Sequence, residues 1–168
     1  MLNKLLCVDP GWGTTAFAYF RNEITLPIVS EYSFLDGERF KKYVDTFQTA
    51  IIYYSPKTVI IEGVENWQGS LKSRTAAARQ DTIKLAYLVG AYYAICSRNK
   101  VNALILTARE WKGQLSKEAT AKRVERIFKQ KIFHSEHVID AIAIGLSRDI
   151  KLWQLEKSVS FQKNKLEM

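Results

Sequence analysis

The sequence contains few of the residues that define several classes of protein. Its 168 residues include only two cysteines, two histidines and three prolines. Cys7 and Cys96 form no CxxC pair and no spacing typical of metal ligands, so we expect two buried, reduced thiols in a cytosolic protein. No apolar run approaches the roughly 20 residues that are needed to cross a bilayer. These shortages argue against a metal–thiolate site and against a membrane-spanning segment.

Acidic residues are also in short supply. The chain has 25 Lys and Arg residues against 17 Asp and Glu residues, which gives a formal net charge of +8. A domain that basic usually binds a polyanion, most often nucleic acid, although a membrane surface or no polyanion at all would also be compatible. The first strand pattern begins almost at the N-terminus and leaves no room for a signal or transit peptide, so we expect a cytoplasmic protein.

Length and patterning predict a single α/β domain. We place this domain at residues 1–148, followed by a basic tail at 149–168. Short β-rich runs alternate with helical patterns after an initial antiparallel pair, which predicts a mixed sheet of about five strands flanked by helices. Asp36 and Ser135 are the expected N-caps of the first and last helices. The expected strands are 4–9, 14–21, 24–33, 58–62 and 101–106, and the expected helices are 37–54, 72–98, 107–111, 117–130 and 136–147.

Three acidic residues occur in settings where an acid is costly to bury. Asp9 ends the apolar first strand, and Glu62 directly follows the apolar run Thr58–Ile61. Asp140 lies in the apolar last helix, three residues after His137 and on the same face. Buried carboxylates need a metal ion or a partner charge, and a pair of hard cations held by oxygen ligands can hydrolyse phosphodiesters. The acids therefore predict a two-metal site, with His137 as a metal ligand or as the group that orients the attacking water.

These segments resemble the RuvC family of Holliday-junction resolvases, which have a ribonuclease H-like fold. Val8–Gly11, with the threonine pair shortly after it, is similar to the family's opening strand, and Ile61–Val64 is similar to its central strand. The segment His137–Ile144 resembles the family's last helix, in which Asp or His precedes the final Asp by three positions. All three occur in the family's order, and the resemblance covers roughly residues 3–147.

The resemblance implies an activity and the residues that carry it. Asp9, Glu62, His137 and Asp140 would be the catalytic and metal-binding residues, with a pair of Mg²⁺ ions per site and Mn²⁺ as a possible substitute. The family further implies a homodimer that makes paired, symmetric nicks in four-way DNA junctions and leaves 5′-phosphate and 3′-hydroxyl ends. Such a protein would be associated with nucleoid or viral DNA.

Basic and aromatic residues near these segments are candidate DNA contacts. The candidates are Trp67, Lys72, Arg74, Lys112, Lys117 and Lys122. The cations could line a phosphate backbone or stabilise charge on the scissile phosphate, although solvated helix faces would have the same composition. The family's aromatic wedge is expected at position 65, which is Glu65 here. Trp67 would replace the wedge by stacking on bases, or it would brace the long helix in the core, and Trp12 has the same two alternatives.

The long predicted helix carries small and aromatic residues that suit close packing. Ala86, Val89, Gly90, Tyr93 and Ala94 recur at helical spacing. Family dimers use this general region, so the resemblance predicts that part of a dimer interface lies here.

Other functions would keep some of these features. The same site could serve a nuclease that cuts flaps or forks, because dimer spacing and loop shape select the substrate. A non-catalytic junction-binding protein would be expected to have lost at least one of the acids. The Asp9–Thr15 segment also resembles the phosphate-binding hairpin of actin-like ATPases and sugar kinases. Those proteins have two such lobes, are more than twice as long, and lack the His-x-x-Asp helix.

Overall fold

The computed structural model describes residues 4–21, 25–35, 37–64 and 81–147. The strands in these ranges are β1 (Leu5–Asp9), β2 (Thr15–Phe20), β3 (Ile28–Tyr32), β4 (Thr58–Gly63) and β5 (Asn102–Thr107). The helices are α1 (Arg39–Tyr54), α2 (Asp81–Arg98), α3 (Ala108–Lys112), α4 (Lys117–Phe128) and α5 (Glu136–Gly145). No helix within the described ranges is both long enough and apolar enough to cross a membrane.

The strands form one mixed sheet in the order β3-β2-β1-β4-β5. Strand β2 is antiparallel to both β1 and β3, whereas β4 is parallel to both β1 and β5. This arrangement confirms the fold class predicted from the sequence. Strand β1 lies at the centre of the sheet and all of its residues are buried. Burial on both faces explains why its sequence has no alternation of apolar and polar residues before Asp9.

Helices cover both faces of the sheet, and the alternation along β1 assigns its side chains to the two layers. Leu5 and Cys7 face the layer that contains α3, α4 and α5, whereas Leu6 and Val8 face α1 and α2. Cys7 and Cys96 are free and buried, as expected. Burial raises the pKa of both thiols, that of Cys96 to about 12. Both cysteines therefore act as apolar core residues rather than as nucleophiles.

The ends of several elements differ from the expected positions. Helix α1 begins at Arg39 after a turn at Gly37 and Glu38, and Glu38 occupies the N-cap without a side-chain cap hydrogen bond. The prediction that Asp36 caps this helix was therefore wrong. Ser135 does cap α5, as predicted, because its Oγ accepts a hydrogen bond from the Val138 N–H. The predicted start of the long helix before Asp81 and the predicted basic tail at 149–168 lie outside the described residues.

We expect Gly145→Ala to destabilise the protein by roughly 1–3 kcal/mol, because the added methyl group has no room. A Cβ at this position would lie 2.3 Å from Phe20 Cε2 and 3.1 Å from Cys7 Sγ, so α5 would have to move away from β1 and β2. The melting temperature reports the loss, at roughly 2–4 °C for each kcal/mol in a protein of this size.

Gly37→Ala is the matched control for this substitution. It makes the same change in the exposed turn before α1, where the added Cβ would meet no heavy atom within 4 Å. The control should not lower the melting temperature. Equal melting temperatures for Gly145→Ala and the wild type would contradict the packing argument.

Candidate active site

Asp9 and Glu62 lie beside each other at one edge of the sheet. In the parallel pairing of β1 and β4, Val8 lies opposite Ile61. The next residue of each strand is an acid, Asp9 in β1 and Glu62 in β4. Both acids continue the strand positions that face the layer containing α5. Asp9 is only 9% exposed and Glu62 is half-buried. Strand order and alternation are therefore sufficient to bring the two carboxylates to the same face.

Helix α5 brings His137 and Asp140 to these two acids. Its later turns pack against β1 and β2 through apolar residues such as Ala141 and Ile142, which hold its first turn above the end of β1. Nδ1 of His137 lies 2.7 Å from Oδ2 of Asp9. The two residues that the sequence placed on one helical face thus both lie at the sheet edge, and the structure gives His137 a direct hydrogen bond to Asp9.

Lys112 is the cation that lies against the acids. It ends the short helix α3, which is fixed at its start by a capping box between Thr107 and Glu110. The Lys112 Nζ lies 3.2 and 3.4 Å from the two carboxylate oxygens of Asp140. The side chains of this ion pair are only 14% and 19% exposed. We call Asp9, Glu62 and Asp140 the carboxylate cluster. The ion pair of Lys112 with Asp140 places a largely buried positive charge at the edge of this cluster.

Crowding of negative charge changes the ionisation of this carboxylate cluster. Burial, followed by the charges of Asp9 and Asp140, raises the pKa of Glu62 to about 8. Burial also raises the pKa of Asp140, although Lys112 acts in the opposite direction. The hydrogen bond to Asp9 raises the pKa of His137, which favours its charged form. Three ionised carboxylates would therefore carry more negative charge than one lysine and one histidine offset, and Glu62 keeps its proton at neutral pH in the metal-free protein.

Trp111 also belongs to the site, and the sequence analysis did not identify it. Its ring is 7% exposed, and its indole nitrogen is buried and makes no hydrogen bond of normal geometry with any described residue. The indole N–H is nevertheless close enough to Glu62 to lower the pKa of that carboxyl group. The feature of the sequence that could have identified Trp111 is its position directly before Lys112 in a short polar helix.

The remaining predicted DNA contacts lie around the cluster or outside the described residues. Lys117 forms an exposed ion pair with Glu136 at the start of α5. The hydrogen bond to Glu136 is the main cause of the raised pKa of Lys117, and the charges of Asp140 and Asp9 make smaller contributions in the same direction. Lys122 is exposed on α4. Trp67, Lys72 and Arg74 are in the segment 65–80, which the structure does not describe.

The types of donor fit a hard divalent cation, although their side chains do not converge. Carboxylate oxygens are the ligands that Mg²⁺ prefers in proteins, and a cation would counteract the burial and the charge repulsion that together raise the pKa of Glu62. Among the described residues, no three His, Cys, Asp or Glu side chains are arranged to hold a metal ion. Asp9 is turned towards His137 and Asp140 towards Lys112. Cation binding would therefore require these two contacts to open.

We expect Glu62→Gln to stabilise the metal-free protein, with a gain that grows from pH 4.5 to about 8. The carboxyl group ionises at its ordinary pKa in the unfolded chain but only near pH 8 in the folded protein. The folded state thus binds an extra proton in this range, and wild-type stability falls as the pH rises. Melting temperatures measured in EDTA across this range test the prediction. The exposed Glu38→Gln is the control, and a pH-independent difference between Glu62→Gln and the wild type would refute the prediction.

Comparisons with known proteins identify the fold through structure rather than through sequence. No protein-family model and no curated protein matches the sequence. Thermus thermophilus RuvC in complex with a Holliday junction substrate matches with a TM-score of 0.66 and 16% identity, over 84% of this chain and 89% of that chain. A second T. thermophilus RuvC structure matches with a TM-score of 0.60 and 19% identity, over 84% and 90% of the two chains. The yeast mitochondrial Holliday junction resolvase Ydc2 matches with a TM-score of 0.57 and 15% identity, over 86% and 77%. The chain therefore has the ribonuclease H-like fold of the RuvC-type resolvases.

Proposed function

We propose that the chain is a divalent-cation-dependent endonuclease that resolves four-way DNA junctions by paired, symmetric nicks, leaving 5′-phosphate and 3′-hydroxyl ends. The observation that carries this proposal is the cluster of Asp9, Glu62 and Asp140 at one sheet edge, with Lys112 and His137 in contact with it. The fold is shared with a RuvC whose structure contains a Holliday junction substrate. A net charge of +8 also favours a polyanionic substrate.

The carboxylate cluster is the proposed cation site. Asp9, Glu62 and Asp140 would hold a pair of Mg²⁺ ions, or Mn²⁺ in their place, and His137 is available as a fourth ligand. Bound cations of this kind lower the pKa of a water nucleophile and offset the charge of the departing 3′ oxygen. The raised pKa of Glu62 supports the assignment, because a divalent cation supplies the positive charge that the cluster needs.

The other residues of the site bind the substrate and transfer protons. Cation binding requires the contact between His137 Nδ1 and Asp9 to open, and the freed imidazole would then be able to orient the attacking water or to accept its proton. Lys112 lies close enough to the carboxylate cluster to pair with the scissile phosphate, and Lys117 adds a cation at the start of α4. We assign further phosphate contacts to Lys72, Arg74 and Lys122 from the sequence, and a base contact to Trp67.

We propose that the active form is a homodimer built on the exposed face of α2. Ala86, Gly90, Tyr93 and Ala94 are exposed on this helix and form a strip without charged side chains. A Cβ at Gly90 would meet no heavy atom within 4 Å, so a second helix could approach closely. Val89 was also predicted to lie in the interface, but it is 6% exposed and packs in the core. That part of the prediction was wrong.

Two alternatives use the same cluster differently. A nuclease for flaps or forks would need the same carboxylates, but the two active sites of its dimer would be spaced differently. A junction-binding protein without activity would not need the carboxylate cluster, and burying three repelling acids would then cost stability without a function. The retained cluster favours an enzyme over a binding protein.

We expect Tyr93→Arg to convert the dimer into a monomer, because a charged side chain would be buried in the proposed interface. Light scattering of the full chain measures the change in mass. Tyr53→Arg, at a tyrosine of α1 that is 78% exposed, is the matched control and should leave the mass unchanged. A monomeric wild type would contradict the proposed dimer directly.

The nuclease proposal is tested by nicking of a labelled four-way junction in Mg²⁺, beside linear duplex, flap and fork. We expect paired symmetric cuts in the junction and a loss of at least about 100-fold in Asp9→Asn, the scale of removing one group that stabilises a transition state. Junction binding by this variant should persist. Asp45→Asn, at an exposed aspartate of α1, should cut normally. Equal cutting of flaps or forks would widen the substrate class, and binding without any cutting would reject the nuclease.

A further inference from the structure

An open, aromatic concavity lies beside the loop that follows β1. It has a volume of about 390 Å³ and is lined by Trp12, Phe40, Lys84 and Tyr87; we call these four residues the aromatic pocket. Phe40 is 38% exposed and Tyr87 is 68% exposed. The rings of Trp12 and Phe40 have centroids 6.4 Å apart and planes inclined by 30°. Several large aromatic rings exposed in one concavity indicate a binding site.

The loop that carries Trp12 is held in place by two side chains of α1. Tyr43 Oη donates a hydrogen bond of 2.8 Å to the Gly13 carbonyl, and Arg39 Nη1 donates one of 3.4 Å to the Trp12 carbonyl. Within the loop, a Cβ at Gly11 would lie 2.2 Å from the Thr14 carbonyl oxygen, so this tight turn requires glycine. The Trp12 ring is therefore presented by a fixed backbone, which lowers the entropic cost of binding a ligand.

Positive charges surround the Trp12 ring. The Arg39 guanidinium carbon lies 5.8 Å from the ring centroid, and the Lys84 Nζ lies 5.7 Å from it. Lys84 also forms an ion pair with Asp81 at 3.4 Å. The aromatic pocket thus combines flat apolar surfaces with cationic groups at its rim. A nucleotide has the matching combination, a flat base attached to an anionic phosphate.

We propose that the aromatic pocket binds an unpaired nucleobase of the DNA substrate, with Arg39 and Lys84 near its phosphate. Aromatic rings stack on bases of any sequence, and Arg and Lys side chains bind phosphate without reading sequence. The inference rests on the proposed nuclease function and adds a site that holds a base outside the duplex. Trp12 is three residues beyond Asp9, so the loop that presents its ring begins directly after the first acid of the carboxylate cluster.

Charge favours a nucleotide over a second copy of the chain as the occupant. The rim of the pocket carries the positive charges of Arg39 and Lys84. Two such pockets facing each other would bring like charges together, which opposes association. A nucleic acid offers the opposite charge and a stacking surface in the same ligand.

The test compares a short oligothymidylate with an abasic oligonucleotide of equal length, because both carry the same phosphates and only one carries bases. Binding to the full chain is measured by fluorescence anisotropy in EDTA, which prevents cutting. We expect the wild type to bind the base-containing ligand about 10-fold more tightly, the scale of stacking by one or two bases. Trp12→Ala and Phe40→Ala should reduce this preference to near unity.

Two further variants separate stacking from charge. Lys84→Gln should weaken binding of both ligands to the same extent and leave the preference intact, because it removes a phosphate contact and leaves the hydrogen bonds that hold the Trp12 loop. Tyr53→Ala removes an exposed aromatic ring of α1 outside the pocket and should change neither affinity. If Trp12→Ala does not fold, as judged by circular dichroism, Phe40→Ala and Tyr87→Ala decide the question.

Several results would overturn the inference. Equal affinity of the wild type for the two ligands would reject it, and so would a preference that persists in both Phe40→Ala and Tyr87→Ala. A Tyr87→Ala chain that becomes monomeric with an unchanged preference would identify the pocket as part of an interface between copies. A chain that nicks junctions without preferring base-containing ligands would reject the pocket alone. A chain that has the preference but cuts nothing would reject the nuclease and keep the pocket.

Discussion

Burial of three carboxylates at one edge of an apolar sheet is the constraint on which the rest of the site depends. Asp9, Glu62 and Asp140 repel one another in a region that is largely removed from water, and the pKa of Glu62 rises to about 8 as a result. Part of this cost is offset because Lys112 forms an ion pair with Asp140 and His137 forms a hydrogen bond with Asp9. Buried charges without partners are strongly destabilising. The folded chain therefore tolerates the cluster, and in the proposed function a divalent cation would complete its charge balance.

A carboxylate cluster alone would not select a branched substrate, so selectivity must come from surfaces around it. In the proposed mechanism the strip on α2 sets the distance between two cutting sites, and the aromatic pocket holds an unpaired base of the substrate. Both surfaces contain large exposed rings, such as Tyr93 and Tyr87, that a globular chain normally buries. In this proposal, substrate choice would depend on side chains that contribute little to the stability of the isolated fold.

Much of the fold and the centre of the site could be predicted from local patterns. The unbroken apolar run before Asp9 indicated a buried strand, and the acid at its end indicated the site. The strand position of Glu62 and the three-residue spacing of His137 and Asp140 could likewise be read from the sequence. These features depend on the periodicities of strands and helices, which are fixed by backbone geometry. Errors occurred at element ends, such as the cap of α1, because capping depends on the local turn.

What the sequence by itself determined was the set of elements and which acids lie on which face. Only the tertiary structure decided their partners. Lys112 and Asp140 are 28 residues apart and His137 and Asp9 are 128 apart, so no local pattern could pair them. Helical spacing groups Phe40 with the core residues of α1, yet the structure leaves it exposed against Trp12. Such contacts join segments that are distant in the chain, and they are set by the packing of whole elements.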